Sequence, residues 1–259
     1  MAFLFLLLLG LTVGMIGALM GIGGGLIVVP VFLYLLGFSV SHTVGTAMVI
    51  VFFNALSATI AYYRQRRIVL SAAWRFGLAT IPGSILGGWA SNFFSGIGFQ
   101  VAFGVFLMLA AVNMYRKNSS TDQENGEILP ESPSRNSSKE RMRWGTLASV
   151  FVGFFSSVMG IGGGIIHVPL MSQVLRYPIH FAVGTSSCIL LISSAAGLLT
   201  HGIMGHVLWM EAISTGTGAL LGAQLGAGLA QKIAPHTLRI AFAVLVFCMG
   251  LRILSAAMI

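Results

Sequence analysis

The residues best placed to do chemistry in these 259 are two runs of glycine, each with a proline behind it. Residues 20–30 read MGIGGGLIVVP and residues 159–169 read MGIGGGIIHVP, an offset of 139 residues. A helix that restarts after such a break exposes N–H groups without intrahelical partners. The helix dipole adds partial positive charge there. Together these can seat an anion with no charged side chain. Gly23, Gly24 and Gly25, with Gly162, Gly163 and Gly164, would supply the unusual backbone angles of the turn and the bare backbone that lets a ligand approach. Pro30 and Pro169 have no N–H, so each frees a carbonyl one turn back, at Leu26 and Ile165. Thr46, Thr185 and Ser186 offer hydroxyl groups from the runs that follow. His167 stands where the first copy has Val28, and could carry a proton, contact the anion or be a satisfied core histidine. The bland reading of each is open too: membrane-helix glycines serve packing, and threonines can bond carbonyls of their own helix.

These residues belong to a duplicated unit. The register holds without a gap from Val44, Gly45 and Thr46 onto Val183, Gly184 and Thr185, and from Gly83 and Gly87 onto Gly222 and Gly226. The last two pairs have the small-xxx-small spacing that lets helix backbones approach. An internal repeat fixes the architecture before any finer reading.

Composition says where the unit lives. Hydrophobic residues make up 56% of the chain and charged residues 8%, with a mean hydropathy of +0.93. A soluble domain carries about 25% charged residues. The chain reads as an all-α polytopic membrane protein whose first partner is the lipid bilayer. Its net charge of +8 lies in short clusters between apolar runs, the pattern of cytoplasmic loops rather than of nucleic-acid binding. Residues 2–9 read as the start of the first membrane segment, not a removed leader.

The first apolar run, 2–36, is too long for one crossing: a helix of that length would measure about 52 Å against a core of about 30 Å. The glycines break it, so a re-entrant first helix is expected, with three transmembrane helices after it (43–63, 72–94 and 97–115). The second copy repeats this at 146–175, 180–200, 208–231 and 237–257. Residues 1–115 and 144–259 are thus two membrane repeats. Residues 116–143, polar and proline-containing, read as a disordered cytoplasmic linker.

Equivalent loops carry opposite charge patterns. Arg64, Arg66 and Arg67 answer to Ile203, Gly205 and His206; Gly37 answers to Arg176; Phe93 answers to Lys232. Positive residues mark the cytoplasmic side, so the repeats are expected to be inverted, with both chain ends outside. Arg252 runs against this pattern. His42, His180, His201, His206 and His236 fall near predicted loops and read as interfacial. Glu211 is the one carboxylate outside 116–143, and Asn54 and Gln224 are apolar-run amides that could line a path.

No phosphate-binding loop, no H-E-x-x-H and no Cys/His cluster with ligand spacing occurs, so neither enzyme chemistry nor a cofactor is expected. The best reading is a secondary transporter for a small anion. A passive anion channel of the same fold, and a thiol or redox protein using Cys188, are the alternatives.

The motif GIGGG with Pro30, then Gly45 and Thr46, and the same set from Gly160 to Pro169 with Gly184, Thr185 and Ser186, resembles the sulfite exporter TauE/SafE family. The resemblance spans both repeats and the central linker. It implies a multi-pass protein of the inner (plasma) membrane that exports sulfite or an organosulfonate. A homodimer is compatible with that reading.

Overall fold

The computed structural model describes residues 2–91 and 135–257, with residues 101, 104, 105, 108, 109, 111 and 112 between them. The element order is α1 (Ala2–Met20), α2 (Gly25–Pro30), a π-helical turn (Val31–Leu35), α3 (Val40–Arg64) and α4 (Leu70–Ala90). Then come α5 (Arg135–Met159), α6 (Gly164–Pro169), a second π-helical turn (Leu170–Val174), α7 (Ile179–Ile203), α8 (Trp209–Ala230) and α9 (Pro235–Ala257). Phe3–Met20, Val40–Arg64 and Ile179–Ile203 are each long and apolar enough to cross a bilayer. The chain is an all-α polytopic membrane protein.

Residues 116–134 of the expected linker, and most of the expected span at 97–115, lie outside the described residues. α5 begins at Arg135, so residues 135–143 of the expected linker are helical.

Each half lends its first helix to the other. α1 packs on α8 and α5 packs on α4, through glycine. A Cβ on Gly83 would stand 2.8 Å from Phe154 N, and one on Gly222 2.9 Å from Met15 N. No real Cβ comes that close, so these helices meet backbone to backbone, as the small-residue spacing predicts. Contacts advance together along each pair, Gly145 on Phe76 and Gly87 on Phe154, so paired helices run parallel.

α3 and α7 run antiparallel at the centre. Leu208 N–H, just before α8, donates to Thr46 Oγ1 near the start of α3, at 3.0 Å. Val69 N–H, just before α4, donates to Thr185 Oγ1 near the start of α7, also at 3.0 Å. Gln65 Nε2 donates to Ala227 O at 3.1 Å, which sets the end of α8 beside the end of α3. Arg64, Arg66, Arg67, Arg176 and Lys232 thereby gather at one end of the molecule. At the other end lie Gly37, Gly205 and, over the Tyr34 ring at 5.1 Å, Arg252. The turns match in shape: φ is 57° at Arg66 and 71° at its equivalent Gly205, and 58° at Arg176 against 68° at Gly37.

The return limb after the first glycine break comes back along α1. Val28 and Phe32 share a buried cluster with Leu6 and Val13. α1 and α2 therefore make a hairpin rather than one bent crossing. Outward faces are apolar, with Trp74, Leu86, Trp89, Leu221 and Leu225 exposed.

Candidate functional site

The hairpin tips are built by bonds that close one helix and open the next. Ile22 N–H donates to Gly17 O at 2.9 Å and Ile161 N–H to Ser156 O at 3.2 Å, ending α1 and α5. Gly24 and Gly163, with φ of 78° and 76°, then cap α2 and α6 in the left-handed region that favours glycine. Ile27 and Val28 N–H return to Gly24 O, and Ile166 and His167 N–H to Gly163 O. The N–H groups of Gly25, Leu26, Gly164 and Ile165 precede these first intrahelical bonds.

The two tips cross each other. A Cβ on Gly25 would stand 2.9 Å from Ile161 Cα, and one on Gly164 2.6 Å from Ile22 Cα. Gly21 lies against Val183 and Gly160 against Val44, each with 3.0 Å from an added Cβ to the partner Cα. Gly23 and Gly162 both lean on Val51 and Leu190. All of residues 21–25 and 160–164 are buried. The space a side chain would fill is occupied by protein, so close packing alone already requires these glycines.

Polar groups flank the cap of each tip. Beside Gly24 lies the Asn54 amide, which donates through Nδ2 to Gly14 O at 3.0 Å. Asn54 Oδ1 is buried with no partner among the described residues. Beside Gly163 lies Ser156, whose Oγ is 3.4 Å from where a Cβ on Gly163 would stand and is also buried and unpaired. His167 is 1% exposed. Its Nδ1 is 3.2 Å from Gly163 O and its Nε2 3.3 Å from Ser149 Oγ. A carbonyl only accepts, so Nδ1 carries the hydrogen. Ser186 Oγ–H donates to Gly21 O at 2.9 Å.

The structure thus brings Gly23, Gly24, Gly25, Gly162, Gly163, Gly164, His167 and Ser186 together. Thr46 and Thr185 are not at the tips: each oxygen accepts the N–H that precedes the other half's helix. Pro30 and Pro169 sit behind the tips, where each short helix passes into its π-helical turn. Glu211 lies in the first turn of α8, away from the tips. Ser156 is a tip neighbour that sequence reasoning passed over. Its signal was a serine where the equivalent residue, Gly17, is glycine. His201, expected at an interface, is instead fully buried, with Nε2 3.1 Å from Ser157 O.

The family model described as "Sulfite exporter TauE/SafE" matches residues 6–253. A protein of Bacillus subtilis named "Probable membrane transporter protein YunE" is 29% identical over 98% of both chains. "Probable membrane transporter protein MJ0441" of Methanocaldococcus jannaschii is 28% identical over 95% of this chain and 93% of its own. No solved structure matches.

Proposed function

The chain belongs to the sulfite exporter TauE/SafE family of membrane transporter proteins, and from that premise we propose that it exports a small anion, such as sulfite or an organosulfonate, seated between the two glycine tips. It is a transporter, not an enzyme. The anion's neighbours in this reading are the open N–H groups of Gly164 and Ile165, the Ser156 hydroxyl and His167, with the first tip closing the other side. The observation that carries it is Ser156: a buried hydroxyl with no partner among the described residues, beside the cap of a helix whose first two N–H groups precede its first intrahelical bonds. Buried polar atoms are nearly always paired, and a hydroxyl beside a positive helix end suits an anion.

The proposal extends to the arrangement in the membrane. Residues 1–115 and 144–259 are taken as inverted repeats about an axis in the membrane plane, the architecture of many secondary transporters. The antiparallel α3 and α7 and the gathering of Arg66, Arg67, Arg176 and Lys232 at one end support it. That end is assigned to the cytoplasm, together with residues 116–134, and the membrane to the bacterial inner membrane. Burial of both tips favours alternating access over a standing pore. A homodimer is compatible with the exposed apolar faces and is not needed by this mechanism.

The test is a binding screen of purified protein against sulfite, sulfate, thiosulfate, sulfoacetate and taurine. One of the anions should bind, and Ser156→Ala should weaken it about tenfold, the worth of one hydrogen bond to a charged group. Binding of none, or binding unchanged in Ser156→Ala, would remove the anion from this site.

A further inference from the structure

Tyr62 and His201 are equivalent residues that perform one task at opposite ends of the molecule with different chemistry. Tyr62 Oη–H donates to Ala18 O at 2.8 Å. At the other end His201 Nε2 is 3.1 Å from Ser157 O, the equivalent carbonyl. Tyr62 has Arg67 within electrostatic reach. The equivalent of Arg67 is His206, whose Nδ1 is 3.2 Å from His201 Nδ1. His42, equivalent to Phe181, reaches the same loop: its Nδ1 is 3.4 Å from His206 O. One end is therefore fastened by a phenol with an arginine nearby, the other by a set of imidazoles.

The bonds fix the neutral tautomers. Ser157 O only accepts, so His201 carries its hydrogen on Nε2 and its Nδ1 is bare. His206 must then present Nδ1–H to it. The first added proton has His206 Nε2 to occupy, on the half-exposed ring, and makes a cation beside His42. On the His201–His206 pair a second can go only to His201 Nδ1. Two N–H groups then face each other and the bond between the rings is lost.

That bond anchors a loop. His206 N–H donates to His201 O at 3.0 Å, His206 O lies against Gly45, and Leu208 N–H ends on Thr46 Oγ1. We propose that His42, His201 and His206 form a proton-binding latch: their neutral rings hold the 204–208 loop on the first turns of α3, and protons release it. The titratable neighbours are His42 from α3 and, in the first turn of α8, Glu211; α5 contributes the Ser157 carbonyl. Burial first, then the charge of His42, holds His206 below the usual imidazole range. The docked loop thus favours the neutral ring. Its hold is complete above the unfolded value of about 6.5 and is lost as pH falls through that value and the lower docked one. On the orientation proposed above the latch faces outside, so external acid would loosen that end alone. This last clause rests on the transport reading; the latch itself does not.

The experiment is amide hydrogen exchange of the full chain in lipid nanodiscs, as protection factors for the 204–208 and 65–69 loops. Going from about pH 7.5 to about pH 4, low enough to place the second proton, protection of the 204–208 loop should fall about tenfold or more. The equivalent 65–69 loop should hold. His206→Gln and His201→Gln should each flatten the response. A flat response in the unaltered protein, equal responses in both loops, or a response that survives both substitutions would overturn the proposal. The comparison of the two loops decides even where a variant fails to fold. An anion-binding failure leaves it untouched, so the two readings fail separately.

Discussion

Val51 and Leu190 occupy the same position in the two halves of the chain, and they pack against each other in one buried cluster. A residue touches its own equivalent only at the symmetry axis that relates the halves. Gly23 leans on this pair from one side and Gly162 from the other. The axis therefore passes between the glycine tips, and whatever binds there meets both halves at once.

Thr46 and Thr185 test how far the site extends. Each oxygen accepts an N–H from the loop of the opposite half, so Thr46→Val leaves Leu208 N–H without its partner, at about 1 kcal/mol or somewhat more. Thr46→Ser keeps the bond. Melting curves should show Thr46→Val and Thr185→Val destabilised and the serine variants near normal, with KM for transport unchanged in all four. A raised KM in the valine variants alone would return the threonines to the site.

The glycines divide by what surrounds them. A Cβ on Gly25 or Gly164 meets the backbone of the opposing tip. Overpacking of this kind costs about 1–3 kcal/mol, so Gly25→Ala and Gly164→Ala should lower Tm and the yield of folded protein. Gly228 has nothing within 4 Å of an added Cβ. Gly228→Ala should raise stability by about 0.5–1 kcal/mol through helix propensity. Equal melting temperatures for Gly25→Ala and Gly228→Ala would show that the tips are loosely packed.

Membrane orientation can be read from four turns that share one backbone shape. Single cysteines at Gly37 and Gly205 should react with an impermeant thiol reagent from outside, in a Cys188→Ser, Cys248→Ser background. Cysteines at Arg66 and Arg176 should react only after the membrane is opened. Labelling of Gly37 and Arg176 from the same side would make the repeats parallel.

The link between the halves gives a fourth test. Replacing residues 120–134 by a Gly/Ser segment of equal length should leave expression and flux nearly unchanged, because that composition cannot build a core. Extending the replacement through residue 143 removes the first turns of α5 and should lower Tm. Equal tolerance of both replacements would show that those turns contribute nothing.

The duplication made much of this fold legible: the shared glycines gave the two breaks that end α1 and α5. The tip glycines announced a special backbone, but not that the opposing tip fills the space beside them. Spacing along one chain carries no record of which element lies across from it. For the same reason Thr46 and Thr185 read as hydroxyl donors from neighbouring helices, with no sign that they accept from Leu208 and Val69. Ser156 and His201 were hidden in apolar runs. Only comparison with Gly17 and Tyr62 sets them apart. Lys139, Arg141 and Arg143 read as loop by composition, and the helix of the following apolar run extends back through them.

The central claim is that the chain is a carrier of a small sulfur anion, alternating between two openings. Counterflow tests this most directly. Liposomes carrying the protein are loaded with unlabelled sulfite and diluted into a trace of labelled sulfite, with no ion gradient imposed. A carrier must exchange one anion for another, so the label should rise inside transiently above its equilibrium level and then fall, and sulfoacetate inside should replace sulfite if the site accepts organosulfonates. A label that climbs only to equilibrium, without overshoot, would mean a channel and contradict the account.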